Sequence, residues 1–340
     1  MDKTYLYTLD NGKDPSNPGN WVGKGAVFDE TKIDTAHGGF VPVGAEHLWA
    51  PTHFTAGGTH FLLVPDVADV TSPGVSTTSE IAIATSTSLS GNYSFQGTYA
   101  INGYASDPAM FREKPEYAPA YLNWLVYADG DGDNCGGISI AALNSGDNPT
   151  TVLATSPITF RDGGQAIKAE LGGCTRAGKF TGSVDRPYLE GASLYRFDGS
   201  IAEGSTDPYY LIFAAKPSGG THGASNEVIA YATASMPAGP YTYRGIIMDA
   251  SSTEWTNQAS IAKFGDKYVF AYHDGTSCQA NDSRDCSNGP RRSSPTGVPP
   301  WSAPDRGRSS CRSGTPTVRS ASRRGSTRSS SRRRAAAWTH

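Results

Sequence analysis

The apolar positions of the chain fall into short runs divided by turns bearing Gly, Asp, Asn or Pro, which predicts many short strands and few helices. KTYLYT (3–8) reads as a strand, and the turn-rich LDNGKDPSNPGN follows it. A further short strand is expected around Val22–Phe28, ahead of a Gly-rich loop, HGGFVPVG. LWAPTHFTAGGTHFLLVPDVAD (48–69) reads as loop, strand, Gly-Gly turn and strand, and SEIAIATSTSLSGNYSFQG (79–97) adds a third strand and a fourth. A comparable unit opens at ASDPAMF (105–111) and continues through YLNWLVYADGDGD and GGISIAAL. Another occupies 184–216, VDRPYLEGASLYRFDGSIAEGSTDPYYLIFAAK, and EVIAYATASMPAGPYTYRG (227–245) completes it. The last is TNQASIAKFGDKYVFAYHDG (256–275).

These units share one grammar. A polar residue leads a short apolar strand, a Gly- or Asp-bearing turn follows, and an aromatic-rich strand ends in a loop. The third strand tends to alternate Ile or Val with Ala, as in IAIATS, ISIAAL and VIAYATAS, and period-two alternation marks a half-buried strand. In two units a small-residue turn and an aromatic pair come next, SGNYSF and AGPYTY. Four such units after the partial strand KTYLYT predict an all-β protein, a five-bladed β-propeller with an incomplete first blade. A β-sandwich holds as many strands without repeating the unit.

Composition adds a boundary. The 340 residues suffice for one large all-β domain, and 37% of them are apolar. No stretch has the length and apolarity of a membrane-spanning helix. The net charge of −3 is unevenly spread: residues 278–340 hold 13 Arg against 3 Asp, a net of +10, which leaves −13 for residues 1–277. The acidic body, the propeller domain 1–277, argues against nucleic-acid binding, because phosphate contacts need a positive face. Residues 278–340 are dense in Arg, Ser and Pro, lack hydrophobic periodicity and are expected to be a disordered basic tail. Such text is also what a shifted reading frame through a GC-rich gene yields, and an out-of-frame tail is preferred here over a functional basic one.

Five cysteines, Cys135, Cys174, Cys278, Cys286 and Cys311, lack the paired spacing of zinc sites. Cys278 with Cys286 and Cys135 with Cys174 are candidate disulfides in an exported protein, and the odd count leaves one unpaired. The composition, rich in Gly, Ser, Thr and Tyr, looks extracellular, yet Met1 is followed directly by DKTYLYT, with no charged or apolar leader. The expectation is therefore that the protein is not exported or that its natural N-terminus lies upstream.

Propellers place ligands on the axis, where the first strand of each blade starts. The leads are Trp49-Ala50-Pro51-Thr52, Asp107-Pro108 and Glu190-Gly191. Taken singly, a Glu beside a Gly is a solvated loop residue and an Asp before a Pro is a turn residue. Together, Asp107 and Glu190 are expected at equivalent positions of adjacent blades, facing one centre. Two carboxylates converging on a cleft is the arrangement used in glycoside hydrolysis, one giving a proton to the leaving oxygen and another activating water. Trp49, Tyr104 and Tyr188, close to the leads, are candidates to stack on sugar rings.

These motifs resemble those of glycoside hydrolase family 43, five-bladed propeller enzymes that remove arabinofuranosyl and xylosyl units from plant polysaccharides. The resemblance spans residues 3–275 and rests on LWAPTHF with FLLV, SDPAMF with LVYADGDG, EGASLYRFDG with YYLIFA, and TNQASIAKFGDKYVFAYHDG. It implies Glu190 as the general acid and Asp107 as the modulator of its proton affinity. It also implies His273 as an axial residue that helps hold a central cation such as Ca2+, with no other cofactor required. The family's general base, an Asp leading the first blade, would fall upstream of KTYLYT. Thr52, Ala192 and Gln258-Ala259 depart from the family pattern. The implied reaction is inverting hydrolysis of a plant polysaccharide or oligosaccharide outside the cell, with no membrane or nucleic-acid partner and the oligomeric state left open. The alternative is a propeller that binds sugar without cleaving it. A structural propeller acting through the basic tail is a third reading.

Overall fold

Residues 3–10, 12–15, 17–29, 31–33, 46–68, 79–114, 123–130, 137–171, 188–197, 205–217, 227–250, 257–264, 267–273 and 316–320 are described by the structure, a computed structural model. Their strands form five separate antiparallel sheets that follow one another along the chain. The first pairs β1 (Lys3–Leu9) with β2 (Trp21–Asp29). In the second, β3 (Glu46–Leu48) and β4 (Thr52–Ala56) both pair with β5 (Thr59–Ala68), which is followed by β6 (Ser79–Ser86) and β7 (Ser94–Thr98). The third runs β8 (Ser106–Arg112), β9 (Asn123–Ala128), β10 (Ile138–Leu143) and β11 (Val152–Pro157). A short helix, α1 (Gln165–Glu170), precedes the fourth: β12 (Leu189–Arg196), β13 (Tyr209–Ala215), β14 (Val228–Ala234) and β15 (Thr242–Met248). The fifth holds β16 (Ala259–Phe264), β17 (Lys267–His273) and β18 (Pro316–Ser320).

Apart from β3 and β4, which share β5, strands that follow one another within a sheet are neighbours in space, the usual arrangement of antiparallel sheets. Consecutive sheets pack through their leading strands: β4 and β5 meet β8, β8 and β9 meet β12, and β12 and β13 meet β16. The core is correspondingly divided between the sheets. Ile81 and Ile83 of β6 join Leu125, Tyr127, Ala141 and Leu143 of the third sheet, whereas Ala82 and Ala84 join Val27 and Phe28 of the first. β13 behaves the same way. Leu211, Phe213 and Ala215 face the cluster shared with the third sheet, and Ile212 and Ala214 face Ala259 of the fifth.

This corrects the expectation of half-buried third strands. Residues 81–84 are all buried, at 2% exposure or less. The period-two pattern there is large against small, not inside against outside. A sheet flanked on both faces by other sheets has no solvent face, so alternation records the different thickness of the two interfaces.

The tail also departs from expectation. Pro316–Ser320 pairs with β17, setting Pro316 opposite His273 and Ser320 opposite Val269. The β-branched pair Thr317-Val318 suits an extended strand, and the ladder of β17 offers it an edge. All five cysteines lie outside the described residues.

Candidate active site

Three leading strands carry the same irregularity. In β8, Ser106 is opposite Ala128 and Ala109 is opposite Val126, so Asp107 and Pro108 together face Tyr127. In β12, Glu190 is opposite Ala214 and Ser193 is opposite Ile212, so Gly191 and Ala192 face Phe213. Between Leu48 opposite Asp66 and Thr52 opposite Leu63, three residues face two. Each is a one-residue bulge, and each holds a left-handed backbone: Ala50 at φ 42°, Asp107 at φ 49° and Gly191 at φ 57°. A left-handed residue in a bulge re-aims the side chains around it, which a regular strand cannot do. For a non-glycine residue it costs about 1–2 kcal/mol, and such strain collects at functional sites.

The repeat sharpens and corrects the expected equivalence of the two carboxylates. Asp107 corresponds to Gly191, the left-handed residue, and Glu190 corresponds to Ser106, the residue before it. The side chains leave their strands one position apart, and Glu190 still acts electrostatically on Asp107. The Gly191 N–H donates to Asp107 Oδ2 at 3.1 Å, joining the bulge of β12 to that of β8. Glycine is favoured at 191 by its φ and by tight room: a Cβ there would lie 3.3 Å from the Asn257 carbonyl oxygen and 3.3 Å from Gln258 Cγ.

Asp107 is half-buried. Desolvation and repulsion from Glu190 push its carboxyl up to about 7, against the stabilising pull of the Gly191 N–H. Glu190 is half-buried at the start of β12, where its Oε2 accepts the Tyr188 hydroxyl. Tyr188 itself is 7% exposed, and Lys216 Nζ lies 4.7 Å from its ring centroid. Burial, with Glu190 and Glu227 beside it, pushes the Tyr188 hydroxyl up, so it stays a donor at ordinary pH. The expected role of Tyr188 as an open stacking platform is corrected on these grounds: its ring is enclosed, and its working end is the O–H held on Glu190.

Trp49 and Tyr104 are half-buried at the head of the second and third sheets, next to the bulges of Ala50 and Asp107. His273 closes β17 with its backbone opposite Pro316, and its side chain lies outside the described residues. Among the described residues, no group of three or more His, Cys, Asp or Glu side chains is arranged to hold a metal ion.

One member of the site was not singled out from the sequence. Glu227, immediately before β14, is fully buried, and its Oε2 accepts the Asn257 N–H at 2.7 Å. The Glu190 carboxyl acts on it repulsively and Lys216 attractively. Desolvation first and Glu190 second push it well above the usual carboxylate range. The available signal was a carboxylate opening VIAYATA, a run buried at almost every position.

A shallow groove of about 440 Å³ lies elsewhere, lined among others by Thr85, Gln96, Asp147 and Thr150 on the second and third sheets. It contains none of the converging carboxyls.

No family model matches the chain. A protein named xylosidase/arabinosidase from Bacteroides ovatus is 28% identical over 93 residues, which are 27% of this chain and 23% of that protein. The matched part of the chain thus spans about a quarter of that relative's length. Among solved structures, the chain is similar to the GH43 β-xylosidase/α-arabinofuranosidase CoXyl43 from a compost microbial metagenome, described in complex with xylotriose in a calcium-free form. That match has 21% identity, a TM-score of 0.53, and covers 81% of this chain and 74% of that one. It is similar also to an endo-arabinase from Bacteroides thetaiotaomicron, at 16% identity and a TM-score of 0.54, covering 81% and 82% of the two chains. A GH43_1 enzyme from Xanthomonas citri complexed with xylose matches at 18% identity and a TM-score of 0.51, over 81% and 73%. The fold is therefore that of the family 43 xylosidases and arabinanases, in line with the resemblance read from the motifs.

Proposed function

We propose that this chain is a glycoside hydrolase of family 43 type that cleaves terminal arabinofuranosyl or xylosyl linkages of plant cell-wall polysaccharides with inversion. The observation that carries the reading is the meeting of Asp107 and Glu190, on bulges of neighbouring sheets, through the Gly191 N–H. In this reading Glu190 gives its proton to the glycosidic oxygen as the bond to the anomeric carbon breaks. Water enters from the opposite face and loses a proton to a base, which in inverting enzymes stands roughly 6.5–9.5 Å from the acid. Asp107 acts on Glu190 by repulsion, which favours the protonated acid while Asp107 is ionised. The Tyr188 O–H fixes the orientation of the Glu190 carboxyl. Trp49 and Tyr104 provide faces for a sugar ring.

The decisive assay incubates the protein with xylo- and arabino-oligosaccharides and follows release and anomeric configuration of the monosaccharide by NMR. The expected result is inverted product from the wild type and loss of turnover in Glu190→Gln on natural glycosides. Retention of full activity by Glu190→Gln removes the assignment.

A second reading is a propeller that binds sugar without cleaving it. Saturable binding of the same oligosaccharides without product marks that outcome. Extracellular action and a central cation belong to the proposal as well, the latter tested by calorimetric titration with Ca2+.

A further inference from the structure

We propose that Glu227 is a positioning residue for Glu190: the two carboxyls share one proton, and Glu227 keeps that proton on the pair until Glu190 delivers it. The inference rests on the hydrolase reading for its catalytic meaning and, for the shared proton, on the burial of Glu227, its orphaned Oε1 and the placement of both residues at one end of the fourth sheet.

Glu227 is fully buried, and each carboxyl of the pair already has one fixed donor. Glu190 Oε2 takes the Tyr188 O–H and Glu227 Oε2 takes the Asn257 N–H. Glu227 Oε1 is buried and receives no N–H or O–H from the protein. Glu190, opposite Ala214, and Glu227, one residue before Val228 opposite Ala215, leave the same end of the fourth sheet, and the Glu190 carboxyl is the acidic group acting on this buried oxygen's side chain. A carboxylate only accepts, so two carboxyls can be bonded to each other only if one carries a proton and donates it. Two ionised carboxylates in contact away from water would repel strongly, and one of them gives way by binding a proton. Among the described residues, three charged or titratable groups act on or beside the pair. Lys216 follows β13, Tyr188 precedes β12, and Asp107 acts from β8. One lysine offsets one negative charge, which suits a pair holding a single proton. A Gln at 227 would satisfy the Asn257 N–H equally well, so backbone support alone gives no reason for a carboxyl there.

In the reaction the pair starts with one proton. Glu190 passes it to the glycosidic oxygen, which takes the electron pair of the breaking bond. The pair is left doubly ionised, and it regains a proton from solvent after the products leave. The instability of that doubly ionised state favours prompt return of a proton to the pair.

The experiment uses the full chain carrying Asp107→Asn, so that the other raised carboxyl is silent, with and without Glu227→Gln. Infrared absorption of protonated carboxyl C=O is recorded at neutral pH with no sugar present. The expected result is an absorption in the parent that disappears in Glu227→Gln and returns in Glu227→Asp. An absorption unchanged by Glu227→Gln overturns the shared proton, whatever the activity. In parallel, kcat is followed against pH for the otherwise wild-type chain on a xylo-oligosaccharide and on an aryl glycoside with an acidic phenol. Glu227→Gln is expected to move the alkaline limb to lower pH by about one unit or more. It should cut kcat on the oligosaccharide on the order of tenfold or more, and leave the aryl glycoside, which needs little proton donation, nearly unchanged. Equal losses on both substrates with an unmoved limb overturn the positioning role. If the absorption behaves as expected and the wild type hydrolyses neither substrate, the hydrolase reading falls and the shared proton stands.

Discussion

Replacing Asp107 by Asn separates the charge of the carboxyl from its shape. Asn, like Asp, tolerates a left-handed backbone, so φ 49° can be kept. Its side-chain oxygen can still accept the Gly191 N–H that reaches Asp107 Oδ2 at 3.1 Å. What disappears is a carboxylate that burial and Glu190 have moved from 3.8 to about 7. The folded protein then binds more protons than the unfolded chain between those two values. Stability attributable to Asp107 is therefore fully present below about pH 4 and lost as pH rises to about 7. At 1.36 kcal/mol per pH unit the full span is about 4 kcal/mol, and sharing of charge with Glu190 reduces it to about 2. Urea unfolding of the wild type and Asp107→Asn, at intervals from pH 4 to pH 8, gives the difference directly. The curves should meet near pH 4, and the variant should be the more stable by about 2 kcal/mol above pH 7. A variant that is less stable at pH 8, or a difference flat with pH, would show that Asp107 is not held in a repulsive, desolvated site.

Other perturbations have equally definite outcomes. Gly191→Ala forces a Cβ against the Asn257 carbonyl at φ 57° and should cost about 1–2 kcal/mol in chemical denaturation, with weaker sugar binding through the displaced N–H. Leu211→Ala, at a fully buried position of β13 facing the cluster shared by the third and fourth sheets, should cost about 2–5 kcal/mol. Glu113→Ala should cost about 1–3 kcal/mol and leave glycoside specificity unchanged, because Glu113 is a buried acceptor for the Tyr209 hydroxyl rather than part of the carboxyl cluster. Tyr188→Phe removes the donor on Glu190 and should lower kcat on unactivated glycosides more than on aryl glycosides, in steady-state assays of both substrates.

The strand grammar made much of the fold legible. KTYLYT, IAIATS, ISIAAL, YYLIFAA and VIAYATA all lie in strands, and the turns between them join sequential neighbours, because short-range chemistry decides both. What the alternation meant was not legible. Ile81 and Ala82 differ in the interface they fill and not in their exposure, and a single strand carries no record of what covers its two faces. The strand Pro316–Ser320 was missed for a related reason: its pairing depends on the edge of a distant β17 more than on its own composition.

Asp107 and Glu190 were found from the sequence because a polar residue beside Pro or Gly at the head of an apolar strand is a local signal. Their one-residue offset is a matter of register, which three bulges set and no local propensity reveals. Glu227 was passed over because its significance lies in a contact with Glu190 formed only when β14 and β12 share a sheet. Tyr188 was assigned to the sugar and belongs to the carboxylate, since the direction of an aromatic side chain depends on the packing around it, here Lys216 and Glu190. The sequence by itself determined most of the strands, their order and two of the three carboxyls of the site, because turns and alternation act over a few residues. Only the tertiary structure decided which carboxyls touch and which are dry, because burial and repulsion are properties of neighbours that the chain brings together from far apart.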